Sequence, residues 1–165
     1  MPCTQSAVAI AVADGQEIGA ERQVLTRARP DIFYRSANNR TVEQDQKLYR
    51  YAPPTGSPQI KIRKSTAFPE TVKAGDTLIV GMDYSVMAAQ GTESVDIRES
   101  MVLKRNGKVL TPLLDEPVRR TLGGIISELD FKIPQGLPPG TYVIEQEIGT
   151  GESSDTGSAV FLVGS

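Results

Sequence analysis

The chain has 165 residues, of which 39% are hydrophobic and 23% are charged, a balance typical of one folded domain. It contains no histidine, no tryptophan and one cysteine, which excludes His-based catalytic triads, His metal sites, intrachain disulfides and Cys-cluster zinc sites. The longest uncharged apolar run, Ala7–Ala13, is much shorter than the ~18 residues that a membrane-spanning helix requires.

The formal net charge of −2 conceals an asymmetry, because residues 1–64 carry a net charge of +4 and residues 65–165 a net charge of −6. Basic and aromatic residues alternate along the first part, which is one way to bind single-stranded nucleic acid. Acidic residues interrupt this stretch and no nucleic-acid motif is present, so we predict a solvated surface and no nucleic-acid partner. A second interpretation is that the basic part docks onto the acidic part, of its own chain or of a neighbour.

The first predicted element is a strand over Ser6–Ala13, in which Val8, Ile10 and Val12 alternate with alanines. β-branched residues favour a strand and Asp14-Gly15 favours a following turn, although the alanines leave a helix open. The strand has no hairpin partner nearby in the sequence. We therefore expect it to pair within its own chain or to donate Val8, Ile10 and Val12 to the sheet edge of a neighbour.

A short helix is predicted next, because Thr41-Val42-Glu43-Gln44 fits a capping box with Gln44 at the N3 position. The helix is expected to end near Tyr51, before Pro53-Pro54. Pro53–Pro58 has the composition of a linker. We predict an N-terminal extension over residues 1–58, with one strand and one short helix, and a β domain over residues 59–165.

The second part of the chain alternates apolar and polar residues with the period of a half-buried strand. Asn106-Gly107 predicts a type I′ hairpin turn, after which Val109 and Leu110 begin a return strand that Pro112 cuts short. The segments with this alternation, starting with a strand at Ile60 and Ile62, are Leu78–Val86, Val95–Leu103, Leu129–Ile133, Tyr142–Ile148 and Ala159–Val163. About six or seven short strands separated by turns indicate a mainly β fold, an antiparallel sandwich.

Two motifs in this region resemble bacterial immunoglobulin-like domains. Pro69–Val80 has their Gly-Asp turn before an alternating strand, and Phe131–Tyr142 has their proline-rich turn followed by a Gly-Thr-Tyr strand. The resemblance covers about residues 60–165. It implies an immunoglobulin-like β-sandwich that binds, spaces or assembles outside the cytoplasm, and it supplies no catalytic residues.

Cys3 is a candidate lipid attachment site, because lipidated cysteines of bacterial lipoproteins precede a polar tether such as Thr4-Gln5-Ser6. The alternative is a thiol without a role. An acylated Cys3 would place the protein at a membrane of the cell envelope, in the periplasm or at the outer membrane.

Glu99 interrupts the inward face of its strand between Ile97 and Met101. A buried carboxylate would need a partner, for example Arg119 or Arg120, and could mark an active site. We favour instead a β-bulge that turns Glu99 toward solvent. Asp96 and Glu99 form a carboxylate pair without other support for glycosidase chemistry, and Ser36, Ser65 and Ser100 have no histidine to activate them.

These observations predict a non-enzymatic structural or interaction module of the bacterial cell envelope, a membrane-anchored lipoprotein whose partners are other envelope proteins or copies of itself. We expect no catalytic residues, no metal and no cofactor. One alternative is a subunit of a fibre or larger assembly that donates residues 6–13. A hydrolase of unknown type is another.

Overall fold

Two sheets and two helices form the part of the chain that the computed structural model describes, residues 13–28 and 31–165. In chain order the elements are α1 (Ala13–Ala28), β1 (Asp31–Arg40), α2 (Val42–Tyr49), β2 (Gln59–Phe68), β3 (Thr71–Val72), β4 (Thr77–Met87), β5 (Ser94–Arg105), β6 (Lys108–Thr121), β7 (Gly123–Lys132), β8 (Gly140–Gly149) and β9 (Ser154–Val163).

The strands form sheet A, with the order β1-β7-β4-β2, and sheet B, with the order β3-β9-β8-β5-β6. Within the described residues, every strand pair is antiparallel except the short pair β3–β9. The predicted antiparallel immunoglobulin-like sandwich is therefore confirmed.

The core lies between the sheets and consists of the alternate residues of each strand. On β4, Leu78, Val80, Met82 and Tyr84 are almost completely buried. On the facing sheet, the buried side chains include Met101, Leu103, Tyr142, Ile144 and Phe161. Each buried side chain of this size contributes about 1.5–3 kcal/mol to the stability of the fold. A shift of one residue would turn these side chains toward solvent, so their burial fixes the register of the strands.

The position of β1 is unusual for this fold. In constant-type immunoglobulin domains one sheet has the order A-B-E-D, and strand D lies between C and E in the chain. Here β2, β4 and β7 take the positions A, B and E, and β1 takes position D from the N-terminal side. Only Leu122 separates β6 from β7, so the chain leaves no residues there for a strand D.

β1 lies within the predicted N-terminal extension, over residues 1–58, but it is hydrogen-bonded to β7 along almost its whole length, from Asp31 opposite Lys132 to Arg40 opposite Gly124. The extension therefore contributes a strand to the sandwich.

The predicted hairpin turn is confirmed, since Asn106 and Gly107 have φ angles of 53° and 78°. The prediction that Pro112 cuts the return strand short is wrong, because β6 continues to Thr121 through both Pro112 and Pro117. β6 is the edge strand of sheet B, and an edge strand tolerates proline because one side of its backbone has no partner strand.

α2 begins as predicted, with Thr41 as N-cap and the reciprocal hydrogen bonds of Thr41 and Gln44 in place. It ends at Tyr49, slightly before the expected position, because Arg50 adopts a left-handed conformation with φ 56°.

α1 was not predicted. Its residues 13–15 include Asp14-Gly15, so the turn expected there is wrong, and the helix formers that follow, among them Ala20, Glu21 and Leu25, continue the helix. The strand predicted over Ser6–Ala13 lies outside the described residues apart from Ala13, which begins α1. Neither α1 nor α2, the helices of the described residues, has the length and hydropathy needed to cross a membrane.

α1 packs against one end of the sandwich, near the β5–β6 hairpin. Leu25 is buried in the core, Glu21 forms an ion pair of 2.8 Å with Arg105, and Arg22 donates a hydrogen bond to the carbonyl of Val109. The helix therefore passes from the start of β1 toward this hairpin.

Candidate interaction surface

Each sheet has two edges, and three of the four edges carry features that protect them from pairing with another chain. β3 has two residues and pairs only with Leu162 and Val163, and the rest of the β9 edge is covered because β9 packs closely against β2. β6 contains Pro112 and Pro117, which cannot donate hydrogen bonds to a neighbouring strand. On β2, two backbone amides are capped by side chains. Ile60 donates a hydrogen bond to the hydroxyl of Ser153, just before β9, and Ile62 donates one to the carboxylate of Asp155 on β9. Short edges, prolines and covered edges are known means of preventing edge-to-edge pairing.

The outer edge of β1, which we call the β1 edge, has none of these features. β1 is ten residues long and contains no proline. Within the described residues, its pairing partner is β7 on one side, and no strand pairs with it on the other. A long, unprotected edge strand is a template for strand addition.

The sandwich is also open beside this edge. β2 and β9 pack closely on one side, whereas β1 and β6 make few contacts on the other. Ile32, Tyr34 and Ser36 of β1 face this β1–β6 opening, and Ile32 remains 39% exposed although it lies opposite the fully buried Phe131. A large apolar side chain is thus left half-covered at the edge of the core.

The outer face of sheet A carries two exposed phenylalanines. One cross-strand row consists of Phe33, Asp130, Ile79 and Phe68, in neighbouring positions on β1, β7, β4 and β2. Phe33 is 61% and Phe68 70% exposed. Phe33 extends the apolar surface at the β1 edge, while Phe68 lies at the protected edge of the same sheet.

Below the β1 edge lies a polar cluster around Glu99, which is fully buried. The hydroxyl of Tyr34 donates a hydrogen bond of 2.5 Å to Glu99 Oε1, and that of Tyr84 donates to Oε2. Ser127 Oγ lies 2.7 Å from Glu99 Oε2, and Ser36 Oγ lies 3.3 Å from the same oxygen. Sheet B thus supplies the carboxylate, and three strands of sheet A supply the hydroxyl groups.

The bulge expected at Glu99 is therefore wrong. Glu99 pairs regularly with Glu116, and the irregularities of β5 fall later, after Met101 and Leu103. Neither expected arginine forms an ion pair with Glu99 within the described residues: Arg119 pairs with Asp96 at the surface, and Arg120 lies near the cluster, where its charge acts on Tyr34 and Tyr84. Three or more hydroxyl contacts offset part of the cost of burying a charge.

The cluster holds its tyrosines in the neutral form. Burial, together with the hydrogen bond to Glu99, raises the pKa of Tyr34 to about 12. Burial and the charge of Glu99 raise the pKa of Tyr84 well above its ordinary value. Both hydroxyls thus keep their protons as donors over the whole physiological range of pH.

A second polar cluster joins the end of β1 to α2 and β4. The Arg40 guanidinium contacts the buried Asp45 at 2.7 Å and binds Asp83 with two hydrogen bonds of 2.7 and 3.1 Å. It lies against Gly124, where a Cβ would overlap with it, and the β1 backbone is equally close to Gly123, whose φ is +115°. The glycine pair that begins β7 thus makes room for Arg40.

Arg35 extends the same pattern, because it pairs with both Glu128 and Asp130 of β7. Basic residues of the first part of the chain therefore bind acidic residues of the second. The interpretation that the basic part docks onto the acidic part is confirmed within the chain for Arg35 and Arg40.

Tyr49 and Tyr51 also make contacts within the chain. The Arg63 guanidinium lies 4.2 Å from the ring centre of Tyr49 and 5.7 Å from that of Tyr51, and the Tyr51 hydroxyl donates a hydrogen bond of 2.5 Å to Asp45. These contacts therefore hold α2 and the segment that follows it against the sandwich.

Four site residues predicted from the sequence, Cys3, Val8, Ile10 and Val12, lie outside the described residues. Asp96 is exposed and points away from Glu99, so the two do not form a catalytic pair. In the described part of the chain, no group of three His, Cys, Asp or Glu side chains is arranged to hold a metal ion. A cavity of about 520 Å³ between α2, Pro53-Pro54 and the β4–β5 connection is lined by Val86, Met87 and Tyr51 among others.

Comparison with protein families and with curated protein sequences found no match. Among solved structures, the alkylpurine DNA glycosylase AlkC of Pseudomonas fluorescens, bound to DNA containing an abasic site analog, is 16% identical with a TM-score of 0.47 over 64% of this chain and 30% of its own. A CARDB domain from Pyrococcus furiosus, in complex with di-metal ions, is 14% identical with a TM-score of 0.40 over 65% of this chain and 84% of its own. A human PapD-like (ASH) domain is 18% identical with a TM-score of 0.44 over 68% of this chain and 92% of its own.

These likenesses concern the fold alone. The fold is an immunoglobulin-like β-sandwich.

Proposed function

We propose that this chain is a non-enzymatic interaction module that binds an extended segment of a partner protein along the β1 edge. The observation that carries the proposal is the contrast among the four sheet edges, of which β1 is the long one without proline or side-chain caps. Strand addition uses backbone hydrogen bonds for affinity and alternate side chains for specificity.

The β1 edge is suited to this role because β1 itself is held firmly. Tyr34 binds Glu99 on the inner face, Arg35 binds Glu128 and Asp130 on the outer face, and Arg40 fixes the end of the strand. A rigid edge loses little conformational entropy when a partner strand binds. Half-covered Ile32 and exposed Phe33 would lose further apolar surface to that partner.

The Glu99 cluster supports a structural role over catalysis. Both carboxylate oxygens accept hydrogen bonds from groups of the chain, and Glu99 is completely buried. A general acid or base must come within hydrogen-bonding distance of its substrate, and Glu99 has no exposed surface with which to do so.

The peptide-binding activity can be tested with a displayed library of random decapeptides. We expect selection on the folded chain to enrich peptides that alternate apolar and polar residues. Their binding should be lost in the Ile32→Lys variant, because a charge at an edge strand opposes strand addition. The matched control is Phe68→Lys, which places the same charge at the protected edge of the same sheet and should bind as the wild type does.

Two outcomes would contradict the proposal. Selected peptides could bind Ile32→Lys as well as the wild type, or binding could depend on Phe68 instead. Circular dichroism and thermal unfolding of both variants verify that the sandwich is retained, so that lost binding reports on the edge.

The compartment is a finer part of the proposal: an extracytoplasmic place in the bacterial cell envelope, with Cys3 as the lipid attachment site. Its support is the sequence, namely Cys3 followed by the polar Thr4-Gln5-Ser6, together with the resemblance to envelope domains. Labelling of bacteria that express the full-length precursor with a fatty-acid analogue should mark the wild type and not Cys3→Ser. An unlabelled wild type would remove the anchor from the proposal.

A further inference from the structure

The β1 edge and the apolar alternation before α1 complement one another. Building on the function proposed above, we infer that the partner strand is the segment Ser6–Val12 of a second copy of this chain, placed along the β1 edge. Each copy then has one donor strand and one acceptor edge, so the contact is of the head-to-tail type.

The side chains of the segment suit the place. A strand added at the β1 edge would extend sheet A over β6, and its inward residues would cover the β1–β6 opening. Val8, Ile10 and Val12 recur at every second position, as do Ile32, Tyr34 and Ser36 on β1. On the β6 side, the opening presents Val118, which packs against the core opposite Ile97 and lies between Glu116 and Arg120, the residues opposite Glu99 and Val95. The small alanines of the segment would face outward beside Phe33.

The position of α1 favours donation to another copy over pairing within the chain. α1 runs from Ala13 to Ala28, which separates its ends by about 22 Å at 1.5 Å per residue. Its C-terminal end leads into β1, and Glu21 and Arg22 contact the β5–β6 hairpin. Residues 6–12, which span about 23 Å when fully extended, would use most of that length to return to β1 of the same chain.

The test uses the full chain with Cys3→Ser in every sample, so that no disulfide forms between copies. Sedimentation over a micromolar concentration series should show self-association of this reference protein. Ile10→Lys removes the donor and Ile32→Lys removes the acceptor, and each should weaken self-association about tenfold or more. Ala9→Lys, on the opposite face of the donor segment, and Phe68→Lys are the matched controls and should associate as the reference does.

Mixing the two defective variants gives the decisive result. Ile32→Lys retains a donor and Ile10→Lys retains an acceptor, so an equimolar mixture should form a heterodimer and no larger species. A reference protein that stays monomeric, or a mixture that stays monomeric, overturns the inference. If the selected peptides still bind in a manner that depends on Ile32, the β1 edge keeps its proposed function and only the identity of the partner is wrong.

Discussion

Glu99 is a fully buried carboxylate whose partners are hydroxyl groups of Tyr34, Tyr84 and Ser127 on three strands of the opposite sheet. The arrangement removes a charge from water but gives its oxygens donors from both the edge and the centre of sheet A. Without the carboxylate, these three hydroxyl groups would lose the hydrogen-bond acceptor that they share. Glu99 therefore ties the two sheets together at the open side of the sandwich.

We expect Glu99→Gln to lower the free energy of unfolding by about 2–3 kcal/mol, because the amide offers one oxygen where the carboxylate offers two and turns its NH₂ group toward hydroxyl donors. The matched control is Glu116→Gln, since Glu116 lies opposite Glu99 on β6 but is exposed. That change should cost less than about 0.5 kcal/mol. Urea unfolding at neutral pH measures both, and equal values for the two variants would refute the role assigned to Glu99.

Tyr34 makes the stability sensitive to alkaline pH. Its pKa is raised to about 12 in the fold, from about 10 in the unfolded chain. The stabilisation is complete below pH 10 and is lost as the pH rises toward 12, because the unfolded state releases the proton first. The Tyr34 hydroxyl faces two charged groups and two hydroxyl groups, namely Glu99, Arg120, Ser36 and Tyr84.

Tyr34→Phe should therefore be less stable than the wild type near pH 8, because the hydrogen bond to Glu99 is lost. Its further decline between about pH 10 and pH 11.5 should be shallower than that of the wild type. The difference in slope is expected to be about 1 kcal/mol per pH unit or less, since Tyr34 is only partly buried and solvent weakens the effect. Urea unfolding at a series of alkaline pH values measures the slopes, and parallel curves would contradict the prediction.

At the scale of elements, β1 and α2 depend on one arginine. Arg40 bridges Asp45 of α2 and Asp83 of β4, and the geometry requires two nitrogens toward Asp83 and a third toward Asp45. The hydrogen bonds with Asp83, the largest cause, and with Asp45 hold the pKa of Arg40 above its ordinary value, together with the charges of the two carboxylates. A lysine has a single point charge and cannot form these contacts together.

We expect Arg40→Lys to lower the free energy of unfolding by about 2–3 kcal/mol, because Asp45 is fully buried and would lose its ion pair. Arg98→Lys is the control, since the Arg98–Asp115 pair also involves two hydrogen bonds but lies at the surface. The control should leave the stability almost unchanged, because solvent screens an exposed ion pair. Thermal unfolding of both variants decides the matter, and a control as damaging as Arg40→Lys would speak against the prediction.

The elements that the sequence predicts well are those whose burial is regular. β4 and β8 alternate because one face of each packs into the core, and α2 carries a complete capping box. β1 was not predicted, because its inner face binds Glu99 through Tyr34 and Ser36 instead of packing as an apolar row. An edge strand with a polar inner face has the composition of a loop.

The candidate site could be predicted only in part for a related reason. The interruption of the alternation at Glu99 was visible in the sequence. Its partners Tyr34, Tyr84 and Ser127 lie far apart along the chain, so no local spacing brings them together. That β1 is an unprotected edge becomes visible only when the four sheet edges are compared. This comparison requires the order of the strands in each sheet, which the sequence does not show.

At the scale of the whole molecule, the basic first part and the acidic second part of the chain are joined by ion pairs. The basic N-terminal part supplies Arg35 and Arg40, and the acidic sandwich supplies Glu128, Asp130 and Asp83. Because β1 also completes sheet A, we expect the residues before the proline-rich linker to fold together with those after it. The division of the chain at residue 58 stays a prediction.

Two truncations test this unity. Residues 59–165 alone lack β1, so that β7 becomes an exposed edge and Glu99 loses Tyr34 and Ser36. We expect this fragment to aggregate or to remain partly unfolded. Residues 31–165 keep every strand of the described residues and, of the described elements, lose α1 with its Leu25 and Glu21 contacts, so they should fold with a free energy of unfolding lower by about 2–4 kcal/mol. Circular dichroism and urea unfolding compare the two, and a fragment 59–165 as stable as 31–165 would mean that β1 is dispensable for the sandwich.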